Sequence, residues 1–244
     1  MKQNKYDDDV FFSKYSKMRR SREGLEGAGE WHELVKMLPD FHGKRVLDLG
    51  CGFGWHCQYA LDYGARSVTG VDISEKMLLE AKARTSPVIR YICLPMEDID
   101  FPADSFDVVI SSLAFHYVQF FKDIVGKVAA CLSSHGEFVF SVEHPIFTAC
   151  GTQDWHYDGQ GNRLHWPVDQ YFTESKRDAR FLGESVTKYH RTLTTYVSNL
   201  LELGFEVTGL VEPTPPEDWL HTVSGMSDEL RRPMMLLISG KRKS

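Results

Sequence analysis

The chain has 244 residues, 42% of them hydrophobic and 25% charged, which suits one large domain with additions better than two full domains. A formal net charge of −6 offers no basic face to a phosphate backbone, so no nucleic-acid partner is expected. No apolar run approaches the roughly 20 residues that span a bilayer, and the polar N-terminus has no signal-peptide core, so the expectation is a cytoplasmic protein with no membrane partner.

Residues 1–42 mix polar and aromatic side chains. From Glu23 to Leu38 the spacing of Leu25, Ala28, Trp31, Leu34, Val35 and Leu38 predicts a helix stopped by Pro39, and the segment reads as an N-terminal helical cap. From Gly43 a βα pattern begins: strand 45–49, helix near 55–63, strand 67–71, helix 74–84, strand near 88–93 and strand 106–111. A helix near 120–132 and a strand over 137–142 follow. Residues 143–187 are irregular and rich in aromatics. A helix near 188–203, a strand over 205–211 and a last strand over 234–239 close the chain. The five cysteines are odd in number and contain no C-x-x-C pair, so neither a zinc site nor a disulfide framework is expected.

Within this pattern, VLDLGCGFG at 46–54 reads as a buried strand and a glycine turn, and Asp72 ends the next strand about twenty residues on. Gly50, Gly52 and Gly54 allow a sharp turn that leaves a ligand room, and a strand-terminal carboxylate can accept both hydroxyls of a ribose. A dinucleotide fingerprint would carry its third glycine one place later, where the bulky Trp55 stands. Asp48, inside the strand, would repel phosphate and favour an ammonium group. The ligand that fits is a phosphate-free, cationic nucleoside.

D-x-G-x-G-x-G followed by a strand-terminal acid resembles motifs I and II of the class I S-adenosylmethionine-dependent methyltransferases, of the type 11-like kind. Phe101 to Tyr117 resembles the family's acidic loop, fourth strand and post-strand segment. The resemblance is strong over 43–142 and covers 188–240 by pattern alone. It implies a Rossmann-like, doubly wound α/β fold, with seven strands mostly parallel, an antiparallel last strand and helices on both faces. It also implies S-adenosylmethionine as cofactor, S-adenosylhomocysteine as product and a small-molecule methyl acceptor, with no metal. Carried over residue by residue, the cofactor set is Asp48, Gly50, Cys51, Gly52, Gly54, Asp72, Ile73, Met77, Met96, Glu97 and Ser111, with Tyr15 from the cap. For Tyr15 and Trp31, contact with the cofactor and plain packing both remain open. Where many relatives bind the adenine amino group through an aspartate, this chain has Pro95. Met96 and Glu97 are candidate substitutes, and Glu97 and Asp98 read equally as solvated loop acids.

Residues 143–187 leave the fifth strand at its carboxyl end and are expected to form a lid over the acceptor, with an independent surface layer as the alternative. The candidates for a general base are His116 after the fourth strand, Glu143 and His144 after the fifth, and His190 at the start of the late helix. Two other classes share parts of this pattern: a nicotinamide-dependent oxidoreductase, and a non-catalytic module that binds the cofactor without turnover.

Overall fold

The structure, a computed structural model, describes residues 4–244. The cap comprises α1 (Asp9–Tyr15), α2 (Arg19–Glu23), a 3₁₀ turn over Gly24–Gly27 and α3 (Trp31–Met37). The apolar spacing over 23–38 therefore does not make one helix. Gly24 adopts φ +68°, and a Cβ on Gly27 would lie 2.5 Å from the carbonyl oxygen of Arg19, so the chain bends sharply back over α2.

The α/β body runs β1 (Arg45–Leu49), α4 (Trp55–Asp62), β2 (Ser67–Asp72), α5 (Glu75–Arg84), β3 (Arg90–Cys93), β4 (Phe106–Ser112), α6 (Phe121–Cys131) and β5 (Leu132–Glu143). Residues 143–187, which the sequence leaves irregular, hold α7 (Pro145–Ala149), the hairpin β6 (His156–Tyr157) with β7 (Arg163–His165), and the first strand of a second hairpin, β8 (Lys176–Phe181) with β9 (Glu184–Tyr189). The second hairpin turns on Leu182 and Gly183, both at positive φ, as a two-residue hairpin loop requires. Then come α8 (Leu193–Glu202), β10 (Phe205–Val211), α9 (Glu217–Thr222) and β11 (Met235–Arg242). The late helix starts later than its apolar pattern suggests, because Thr192 caps it by accepting a hydrogen bond from the Thr195 N–H. His190 thus lies in the connection before α8.

Seven strands form one sheet in the order β10-β11-β5-β4-β1-β2-β3. β11 runs antiparallel to both neighbours and every other pairing is parallel, as expected. Leu47 and Leu49 pack with α6 and α8 on one face, and Val46, Val68 and Val108 pack with α4 on the other. These near-continuous apolar strands are the mark of a parallel sheet covered on both sides. The strand order reverses between β1 and β4, and the carboxyl edge at such a switch point is where α/β sheets hold ligands.

Candidate functional site

A cavity of about 870 Å³ opens at that edge. Its floor is the turn after β1, the ends of β2 and β4, and the segment after β3. Gly50 is forced by geometry: φ is +74°, and a Cβ there would lie 2.4 Å from the Cβ of Ala114. Gly52, at φ +53°, faces open space and supplies the N–H that Asp72 accepts through Oδ2 at 2.9 Å. The other Asp72 oxygen accepts from the Ser74 N–H at 2.9 Å. Burial nevertheless pushes the Asp72 carboxyl up to about 6. Cys51, Ile73, Met77, Met96, Glu97 and Tyr15 also line the cavity, with Pro95 beside Met96. Burial raises the Cys51 thiol well above its ordinary value, so it is a packing group and not a thiolate.

Three residues of the expected cofactor set lie elsewhere. Asp48 points to the α4 face of the sheet, where Oδ2 accepts a 3.4 Å bond from the Cys57 thiol and Oδ1 is buried without a partner. Strand alternation sends it there, since Leu47 and Leu49 face the opposite layer. Gly54 is the residue before α4, and a Cβ on it would come within 2.2 Å of the Tyr91 hydroxyl, so it serves packing. Ser111 donates to the Leu49 carbonyl at 2.7 Å and ties β4 to β1, and its neighbours Ser112 and Leu113 line the cavity instead. Trp31 packs edge-on against Tyr59, away from this cavity.

The four candidate bases separate in the same way. His144 accepts from the Ile146 N–H as the cap of α7, and its Nε2 stands 2.7 Å from Glu212. His190 is spanned by the Thr148 hydroxyl and the Tyr171 carbonyl, each at 2.8 Å. Neither lines the cavity. Glu143 and His116 do. Burial alone would raise the Glu143 carboxyl, but His116, Lys188 and Gln153 outweigh it and hold it below its usual value. Lys188 binds Oε1 at 2.5 Å and Gln153 binds Oε2 at 2.7 Å. Burial lowers His116 to about 4, so at neutral pH the ring is uncharged. Its Nδ1 accepts from the Glu143 N–H at 3.4 Å, which leaves the proton on Nε2.

The roof is made by the two segments least legible in sequence. Asp7, just before α1, accepts from the Ser74 hydroxyl at 2.6 Å and from the Lys76 N–H at 3.1 Å, which anchors the cap to the start of α5. Along α1, Lys14 donates to the Leu182 carbonyl at 3.0 Å, and the rings of Phe11 and Phe181 meet edge to face with centroids 5.8 Å apart. The hairpin of β8 and β9 thus lies against the cap, and Phe181, Val186 and Tyr189 line the cavity. In the β6 and β7 region, by contrast, Trp155 and Trp166 enclose Arg232 in a small core of their own. Sequence reasoning passed over Tyr6, Arg20, Glu30, His56 and Tyr117, all on the cavity wall. No motif marks them, since only the folded-back cap brings the first three to the site.

An α/β sheet with a glycine turn, a strand-terminal acid and a covered cavity at its switch point defines an enzyme that works on a nucleoside cofactor. Residues 47–140 match the methyltransferase domain family. The whole fold superposes with TM-score 0.86 on a Listeria monocytogenes protein assigned as an S-adenosylmethionine dependent methyltransferase, 58% identical over 91% of this chain and 100% of that one. An S-adenosylmethionine dependent methyltransferase from Mesorhizobium loti gives TM-score 0.83 at 42% identity, over 90% of this chain and 100% of that one. A shorter match, 31% identical, joins 64% of this chain to 45% of the tRNA U34 carboxymethyltransferase of Hahella chejuensis. The chain belongs to the class I S-adenosylmethionine-dependent methyltransferases. That membership removes the nicotinamide-dependent alternative. Among the described residues no helix is long and apolar enough to cross a membrane.

Proposed function

We propose that this methyltransferase acts on a small or medium-sized metabolite held between the cap and the β8–β9 hairpin. The observation that carries the reading is the double roof: the hairpin and α1 meet beside the cavity through Phe11, Phe181 and Lys14. A macromolecule would have to enter past both. The chain acts in this reading as one domain: the cap over 1–42, the cofactor half over 43–142, the insertion over 143–187 that supplies the lid through its β8–β9 hairpin, and the end of the sheet over 188–244. A cytoplasmic location accords with five unpaired cysteines.

The floor fits the cofactor: Gly52 leaves space where a side chain would intrude, and Asp72 is a buried carboxylate beside it. When bound, the cofactor supplies an electrophilic methyl group on a sulfonium, which passes to the acceptor in one displacement and leaves S-adenosylhomocysteine. The residues then have only to bind and align, the effect that dominates such a displacement. In this reading Asp72 holds the ribose hydroxyls, while Gly50, Cys51 and Gly52 form the close turn. Ile73, Met77, Met96 and Glu97 flank the adenosine, Met96 and Glu97 taking the place of the absent aspartate. Tyr15 covers the sulfonium side. His116 presents its Nε2–H to the acceptor as a donor, and Glu143, held by Lys188, keeps that ring in place. No metal takes part in this scheme.

The test is methyl transfer from labelled S-adenosylmethionine to three fractions: small metabolites, bulk tRNA and protein. Label is expected in the small-metabolite fraction. Label in tRNA or protein alone overturns the reading of the acceptor, and binding of S-adenosylhomocysteine without transfer to any fraction supports the non-catalytic module.

A further inference from the structure

Glu30 is 1% exposed, lies on the cavity wall, and has one carboxylate oxygen, Oε2, buried without a partner. Its other oxygen accepts from Arg20 Nη2 at 2.8 Å and from the Ser112 hydroxyl at 3.2 Å. Burial is the largest single influence and raises the carboxyl, but the charge and hydrogen bond of Arg20, with a backbone hydrogen bond from Glu30 itself, together hold it below its ordinary value, so the carboxylate is charged. A buried charged oxygen with no donor is costly unless a ligand satisfies it, and the ligand group must be a donor, preferably a cation. Arg20 also lines the cavity, and of its five N–H donors one goes to Glu30. The wall thus offers an anion and a cation side by side.

Register places this pair. Asp48 pairs with Ile110 and Leu49 with Val71, so Ser112, Gly50 and Asp72 lie level on three adjacent strands. Ser112 is therefore about two strand spacings, roughly 10 Å, from Asp72, and Glu30 accepts from its hydroxyl at 3.2 Å. The glycine turn lies between them. With the ribose at Asp72, as proposed above, the cofactor's methionyl chain crosses the turn toward Ser112.

We infer that Glu30 and Arg20 form a charge-paired clamp for the amino-acid end of the cofactor, Glu30 Oε2 taking the α-ammonium and Arg20 the α-carboxylate. The clamp comes from the cap, and neither residue belongs to the glycine motif. Because the inference rests on the ribose position proposed for Asp72, its test uses two ligands that share the adenosine. S-Adenosylhomocysteine carries both charges, and 5′-methylthioadenosine carries neither.

Calorimetry on the full chain is expected to show Glu30→Gln weakening S-adenosylhomocysteine about ten- to a hundredfold, the effect of one charge-assisted hydrogen bond, with methylthioadenosine within twofold of wild type. The double variant Glu30→Gln with Arg20→Gln, which replaces the ion pair by an amide pair, is expected to bind the two ligands almost equally. Equal weakening of both ligands overturns the clamp. So does unchanged preference for S-adenosylhomocysteine with a raised KM for the acceptor, which would move Glu30 to the acceptor side. Weak binding of both ligands by wild type, or methylthioadenosine binding indifferent to Asp72→Ala, would instead undo the ribose reading.

Discussion

At the scale of single residues, Asp72 and Asp48 stand in different settings, one on the cavity and one on the α4 face of the sheet. Asp72 stands at about 6 because burial outweighs its two backbone hydrogen bonds. Ribose hydroxyls bind the ionised form, so cofactor affinity rises as pH climbs through that value, about tenfold between pH 5 and 7 if only the carboxylate binds. Titration calorimetry with S-adenosylhomocysteine across that range checks it, and Asp72→Asn is expected to flatten the profile. Removing the side chain, Asp72→Ala, is expected to cost about 1–3 kcal/mol of binding at pH 7.5. Asp48 bears on stability instead. Burial raises it from 3.8 to about 7, so between those values the folded chain holds a proton that the unfolded chain releases. Its contribution is then most favourable at low pH and declines as pH rises through the window, by on the order of 4 kcal/mol in full. Urea unfolding is therefore expected to show Asp48→Asn gaining on wild type between pH 5 and 8. A constant difference would mean that Asp48 is already ionised in the fold.

At the scale of elements, legibility follows how local the determining forces are. The unit β1, glycine turn, α4 and β2 was readable because each part is set by its own residues: an apolar run, glycines at positive φ, and an acid at a strand end. The motif places Asp48 beside the glycine turn in sequence, whereas the pleat turns its side chain to the α4 face, because a motif gives spacing and not the face a side chain takes. His144 and His190 stood in the right sequence neighbourhoods, but a helix cap and a buried hydrogen-bond pair already occupy them. The β8–β9 hairpin was invisible because its placement depends on Phe11 and Lys14, some 170 residues earlier in the chain. Its role is testable by itself. Phe181→Ala opens the roof without touching the glycine turn, so the acceptor KM is expected to rise severalfold while S-adenosylhomocysteine affinity stays within twofold. Steady-state kinetics and calorimetry on one preparation separate these, and a parallel loss of cofactor binding would place the hairpin over the cofactor instead.

At the scale of the whole molecule, the cap and the β8–β9 hairpin are joined to one another. The cap is pinned at one end to Ser74 and Lys76 and at the other to the hairpin through Lys14 and Phe11, so neither segment can lift without breaking contacts to the other. Cofactor exchange needs an opening, and the segments that open are those with few buried contacts to the sheet. A ligand that satisfies groups on both the floor and the cap shifts the population toward the closed form in proportion to its preference for that form. Hydrogen exchange with saturating S-adenosylhomocysteine is accordingly expected to slow residues 5–30 and 176–189 together, leaving α6 and α8 unchanged. Lys14→Ala, which removes the bond to Leu182, is expected to uncouple them: the hairpin exchanges faster while the cap remains protected by its own contacts to the ligand. Protection confined to the cap in the wild-type protein would mean that the two segments move independently, and acceptor entry would then need no release of the cofactor.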